Sequence, residues 1–346
     1  MSSESEVFEA RVGAAMAAAQ THQWEESGEL WEQCAQMSMS HGAWAPASAC
    51  WEQAGEAWRR GDWATKATDA LQAALSQPVA PVDVGAVQTK LAAVLGERGQ
   101  GAAAVAMARQ ALLTSTPQAR PAAVDTLVGL LQGYGRKVDQ RPLVDELAER
   151  LGLSSPACLF RRGQLCRLDG DLDGACQAFD EVVQRLDGVP GAAAGSAAAQ
   201  MELAEVGLLR GETAGAVEAF EAGRRLHEQA GRVSLMWRCE VGRVRASVAA
   251  GLTVIAPGLA AAQRWARERG LALLDLDLEQ ALALQEVGRD AGRARSGLER
   301  AYEAAMAIGA APRAGRARLP LAQHVRGTQS EHQRWCSEAQ EILSDN

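Results

Sequence analysis

The chain has 346 residues, 47% of them hydrophobic but only 4% aromatic, and a formal net charge of −8. Abundant alanine with almost no β-branched or aromatic runs excludes a sheet-based fold, and the length exceeds what one core usually serves, a limit that a repeat array escapes because each unit packs only on its neighbours. Residues 1–223 carry 17 Lys/Arg against 29 Asp/Glu and residues 224–346 carry 18 against 14, so an acidic front and a basic rear disfavour non-specific nucleic-acid binding and suit an acidic partner at the C-terminal end.

In chain order, the opening MSSESEVFEARVGAAMAAAQ places acids where a secretory leader needs a basic start. No later stretch reaches the roughly 18 uninterrupted apolar residues of a membrane span. Seven cysteines without a C-x-x-C pair suit reduced thiols, so a cytoplasmic protein is expected. Lys66, Lys90 and Lys137 are the only lysines among 35 cations, a bias of GC-rich bacterial genomes.

Five segments then repeat one pattern, an alanine-rich helix, a glycine-polar turn and a second amphipathic helix. They are QTHQWEESGELWEQC at 20–34, WRRGDWATKATDALQAAL at 58–75, LGERGQGAAAVAMARQAL at 95–112, CRLDGDLDGACQAFDEVV at 166–183 and LLRGETAGAVEAFEAGRRL at 208–226. Gly61, Gly99, Gly170 and Gly211 are expected to supply the left-handed backbone of the turns. Gly135 lies between the second and third of these, where YGRKVDQRPLVDELAERL reads as a degenerate copy.

Within these copies Trp51, Gly55 and Trp58 are followed by Ala67, Leu71 and Ala74, and Leu159, Gly163 and Cys166 by Ala175, Phe179 and Val182. Leu91, Ala92 and Leu95 with Ala104, Ala108 and Ala111 make an aliphatic copy, and Ala216 and Phe220 mark another. This alternation of large and small positions resembles the tetratricopeptide-repeat family, with a longer and looser period. The resemblance implies an all-α fold, an α-α superhelix (α-solenoid) of stacked antiparallel helix pairs. It covers residues 1–226; residues 227–346 read as degenerate helical repeats continuous with the first part. There, Trp237, Val241, Val244 and Val248 form an apolar stripe, Pro312 and Pro320 are expected to interrupt the tail, and residues 331–343 read as a capping helix. Breaks are expected at 114–121, 187–196 and 309–320.

Six of nine tryptophans fall between Trp24 and Trp63. Trp51 and Trp58 occupy packing positions and are expected to be buried, whereas Trp44, just before Pro46 and outside the expected helix, is a candidate partner contact. Cys158, Cys166 and Cys176 lack the nearby histidine and paired spacing of a zinc site and read as packing thiols. No H-E-x-x-H, G-x-S-x-G or Walker pattern occurs, and Asp275 and Asp277 lie on different helical faces, so no catalytic, metal or cofactor-binding residue is assigned and an enzyme is not expected. The remaining candidates are arginines. Arg238 and Arg245 share a stripe, with Arg264, Arg267 and Arg269 on the next helix, and guanidinium forks suit carboxylates.

The family's lysine- and asparagine-built clamp for a C-terminal carboxylate is not carried over, because the chain has three lysines and a single asparagine, Asn346. The expected function is a protein-interaction scaffold or adaptor, receiving a peptide or helix of a partner protein with an acidic segment on a concave face at Arg238, Arg245, Arg264, Arg267 and Trp44. Neither nucleic acid nor membrane is an expected partner, and homo-oligomerisation stays open. The alternative is a regulatory sensor that binds a small ligand or peptide and switches an effector.

Overall fold

In the computed structural model the alanine-rich segments fold into helices that pack in the order of the chain. It describes residues 2–79, 81, 83–134, 139–189, 191–254, 256–325 and 327–345. Among these the structure is all-α, an array of antiparallel helix pairs of the solenoid class with no strand. The copy expected around Gly135 lies partly outside the described residues.

Two compact units can be distinguished, the first comprising Met1–Leu127 with the short segment Arg269–Leu271, the second Val128–Glu268 with Ala272–Asn346. The first holds α1 (Ser2–Gln20), α2 (Trp24–Ser40), α3 (Trp44–Arg60), α4 (Ala64–Leu75), α5 (Val84–Glu97) and α6 (Gly101–Thr114), and the division falls inside α7 (Arg120–Tyr134). The second continues with α8 (Arg141–Leu151), α9 (Pro156–Asp169), α10 (Leu172–Leu186), α11 (Ala193–Leu209), α12 (Thr213–Gln229) and α13 (Val233–Ala249). It ends with α14 (Leu259–Glu268), α15 (Ala272–Gln285), α16 (Ala291–Ala307), α17 (Ala311–His324) and α18 (Gln329–Asp345). Asp83, Ser155, Asp171 and Asp290 start α5, α9, α10 and α16 by accepting a hydrogen bond from the N–H three residues on.

Glycine sockets explain the repeat pattern. A side chain at Gly55 would lie 2.5 Å from Leu71 and one at Gly163 would lie 2.8 Å from Phe179, so in both pairs the first helix is bare where the second inserts its large residue. Trp58 is fully buried, fills the socket at Gly28 (2.6 Å) and donates its Nε1–H to Glu32 at 2.7 Å. Trp51, expected to be equally buried, is only half-buried, packing beside Cys34, Ala35 and Cys50. Among the described residues no glycine socket receives it, and its Nε1–H donates to the Met39 sulfur at 3.5 Å.

The turns differ in one place from the expectation. Gly99, Gly170 and Gly211 are left-handed, but Gly61 has φ −81° and Asp62 takes the left-handed position with φ +63°. Gly61 is instead a spacer, since a Cβ there would sit 3.0 Å from the Trp24 Cβ.

Within the second unit the backbones of α9 and α11, α11 and α13, α13 and α15, and α15 and α17 approach one another more closely than do successive even helices. Closer spacing of the odd layer curves this unit with the odd helices on the inside. Pro312 stands in the first turn of α17, where its missing N–H costs nothing, but Pro320 lies within that helix rather than interrupting the tail. Lacking an N–H, Pro320 leaves the Arg316 carbonyl without its helical partner, and Gln280 of α15 donates its Nε2–H to that oxygen at 2.6 Å. A side chain from the neighbouring helix thus repairs the break.

Candidate functional site

Polar side chains on the odd helices of the second unit link α7 to α9, α9 to α11, α11 to α13 and α15 to α17. Gln132 of α7 donates to Gln164 of α9 at 2.8 Å, and Gln164 donates to Glu202 of α11 at 2.6 Å. Arg245 of α13 donates to Glu205 of α11 at 2.6 Å, and Arg313 of α17 holds Asp277 of α15 at 3.0 and 3.3 Å. The partners are 32, 38, 40 and 36 residues apart, about one repeat each time.

These ion pairs are well sheltered. Side-chain exposure is 20% for Arg245, 21% for Glu205, 14% for Arg313 and 13% for Asp277. Burial pushes the Glu205 carboxyl up, but the Arg245 and Arg316 guanidiniums outweigh it and hold it below the usual carboxylate range. Asp277 behaves likewise, with burial overcome by Arg313, Arg316 and Arg238. Charges on α11, α13, α15 and α17 therefore act on one another across a shared space.

The expected site residues divide. Arg238 and Arg245 both lie on α13 and both act on Asp277, so the structure brings them to the same inner face. Glu240, two residues along α13 from Arg238, is held by Arg243 at 2.6 and 2.9 Å. Arg264 and Arg267 are exposed on α14, and Arg267 pairs with Asp275 at 3.0 Å and approaches Glu279 at 3.8 Å. Asp275 and Glu279 lie on the opposite side of α15 from Asp277, which separates this pair of arginines from the inner face. Arg269 groups with the first unit, where it pairs with Glu25 at 2.9 Å and stacks over Trp63. Trp44 is the first residue of α3 rather than a loop residue, and half-buried; a cavity of about 310 Å³ lined by Phe8, Met37, His41, Ala43 and Pro46 does not include it.

Other candidates are built into packing. Cys158 is buried, and Cys166 and Cys176 pack beside Phe179 and Val206; burial raises all three thiols above their ordinary pKa, which suppresses thiolate chemistry. A second cavity of about 280 Å³, beside Trp237, is rimmed by Arg224–Glu221 and Arg243–Glu240 ion pairs.

Glu205, Asp277, Arg313 and Arg316 are absent from the sequence-derived candidates. The signal that finds them is opposite charges one repeat apart on the first helices of successive pairs.

The helix order and pairing now permit comparison with known structures. A Rap protein complexed with Competence and Sporulation Factor superposes with a TM-score of 0.59 at 14% identity, covering 88% of this chain and 99% of the other. The fold is tetratricopeptide-like. A tetratricopeptide repeat protein from Parabacteroides merdae aligns over 91% of this chain and 99% of its own with a TM-score of 0.38 at 14% identity. The tetratricopeptide domain of P58(IPK) aligns over 97% and 98% with a TM-score of 0.30 at 9% identity. No protein-family model matches the sequence, and no curated protein does. Among the described residues no helix is long and apolar enough to cross a membrane.

Proposed function

We propose that the protein is an interaction scaffold whose second unit receives a peptide or helix of a partner protein along the odd-helix face. The observation that carries this reading is the sheltered ladder of charges from α11 to α17, which offers fixed polar anchors at one-repeat intervals to an extended or helical segment. Arg238 and Arg245 are contacts for acidic residues of that segment. The known Rap structure, complexed with its factor, supports the general reading by fold alone. A cytoplasmic setting accords with the free thiols of the chain.

The test begins with a partner recovered by affinity purification from the native host and then purified. Its affinity is measured by calorimetry for the wild type and for the Arg238→Gln, Arg245→Gln double variant. Glutamine is preferred to glutamate because a carboxylate at 245 would face Glu205. The expected loss is about tenfold or more, with binding weakened as salt shortens the screening length below about 8 Å. Unchanged affinity of a variant with wild-type circular dichroism rejects the face.

A further inference from the structure

On the inner face Arg238, Arg245, Arg313 and Arg316 act on Glu205 and Asp277, an excess of cations. Arg245 takes Glu205 at 2.6 Å and Arg313 takes Asp277 at 3.0 Å. Arg316, one turn beyond Arg313 on α17, is half-buried, and its guanidinium has no ion pair or hydrogen bond among the described residues. Glu205 and Asp277 act on it, but so do Arg245 and Arg313. Burial together with those two arginines lowers its pKa to about 10, so the free protein carries this cation at a cost. A guanidinium has five N–H donors in a planar fork, and those of half-exposed Arg316 have no protein acceptor among the described residues and are open to a ligand.

The backbone around it is fixed. Pro320 frees the Arg316 carbonyl and Gln280, itself buried, accepts that role from α15 through its 2.6 Å hydrogen bond. The α15–α17 register is therefore pinned at the residue whose side chain lacks a partner.

We propose that Arg316 is the receptor for one carboxylate of the bound segment, flanked by the Arg245–Glu205 and Arg313–Asp277 pairs. The ligand supplies the acid that Arg316 lacks. It does so as an Asp or Glu side chain or as a C-terminal carboxylate, and planar guanidinium–carboxylate pairing is the strongest charge-assisted hydrogen bonding available to it. The inference rests on the scaffold reading and makes it specific. It also separates a binding role from a structural one. Replacing Arg316 by glutamine removes the burial of its charge and the repulsion from Arg313 and Arg245, which together outweigh the lost attraction of Asp277 and Glu205, so the variant melts at the wild-type temperature or above it, whereas a structural arginine would lower the melting point when removed.

The probe is a positional-scanning dodecapeptide library, fluorescein-labelled, prepared both as free acids and as C-terminal amides, and read by anisotropy against the full-length protein. Expected is binding that demands either Asp or Glu at one position or the free-acid form, which tells the two carboxylate sources apart. The resolved peptide loses about tenfold or more with Arg316→Gln, and its acid-to-amide analogue loses the same with the wild type but nothing further with the variant. Arg316→Lys, which keeps the charge without the fork, weakens binding to an intermediate degree and serves if the glutamine variant fails to fold. Peptides that need no acid, or acid-dependent binding indifferent to Arg316, overturn this inference while the scaffold reading stands if Arg238→Gln, Arg245→Gln still abolishes binding. A library from which the wild type binds nothing overturns the scaffold reading and this inference with it.

Discussion

Replacing Trp58 by alanine tests the packing logic of the first unit at its most buried point. A tryptophan side chain covers on the order of 200 Å², and at about 25 cal/mol per Å² its removal forfeits about 5 kcal/mol. The remaining methyl recovers about 1 kcal/mol of this, and the Glu32 carboxylate, deprived of the Nε1–H it accepts at 2.7 Å, gives back about as much in the other direction. Lys66, whose Nζ lies 3.9 Å from the ring centroid, loses its aromatic partner as well. The socket cannot close on the cavity, because Gly28 on α2 has no side chain to move into it. The expected loss is therefore about 5 kcal/mol. Urea unfolding followed by far-UV circular dichroism gives the magnitude, and amide exchange over α2–α4 shows whether the loss is local, as in a repeat array it should be. Half-buried Trp51 provides the internal comparison, with an alanine variant costing about 1–2 kcal/mol. A Trp58→Ala protein with wild-type stability would refute the socket argument.

Two other perturbations read different parts of the fold. Gly163→Val puts a branched side chain where even a Cβ stands 2.8 Å from Phe179 and should destabilise by about 2–3 kcal/mol, whereas Gly207→Ala, with its nearest contact at 3.7 Å, should be neutral or stabilising by up to about 1 kcal/mol; thermal melts of both decide. His227 is fully buried, and burial aided by Arg232 lowers its pKa from 6.5 to about 4, so the folded state binds the proton less readily than the unfolded one; stability present above pH 6.5 is lost as pH falls toward 4, by about 2.5 kcal/mol between pH 7 and 4.5, and His227→Phe should flatten that part of the pH profile in urea titrations.

What the sequence discloses follows from which contacts are local in it. Gly55 with Leu71 and Gly163 with Phe179 are each 16 residues apart, within one helix pair, so their repetition is visible as a motif and the fold can be read from it. The inner-face pairs join residues 36–40 apart on helices that are neighbours only after the array has stacked. Arg238 and Arg245 stand out because they are a heptad apart on one helix; Arg316 does not, because Pro320 four residues on reads as a helix break unless Gln280 is known to sit opposite. Arg264 and Arg267 fail to join Arg238 for the complementary reason, since linear proximity says nothing about which layer a helix occupies. The Gly61 turn shows a smaller version of the problem: a tight turn is legible, but the close approach of Trp24 to Gly61 and the left-handed backbone at Asp62 are not.

Charged pairs on a sheltered face add little to stability, because desolvation offsets most of their attraction, and apolar residues of similar size would serve the fold as well or better. Stability in the second unit comes instead from buried side chains such as Phe179 and Phe220 in their sockets at Gly163, within the α9–α10 pair, and at Gly242, between α12 and α13. The inner ladder is thus relieved of holding the unit together. Two of its charges are nonetheless fixed in direction, Arg245 by Glu205 and Arg313 by Asp277, while Gln280 holds only the backbone at Arg316. An apolar lining would be free to collapse or to accept any greasy helix. A fixed polar lining would discriminate by charge and position, as the proposed binding face requires.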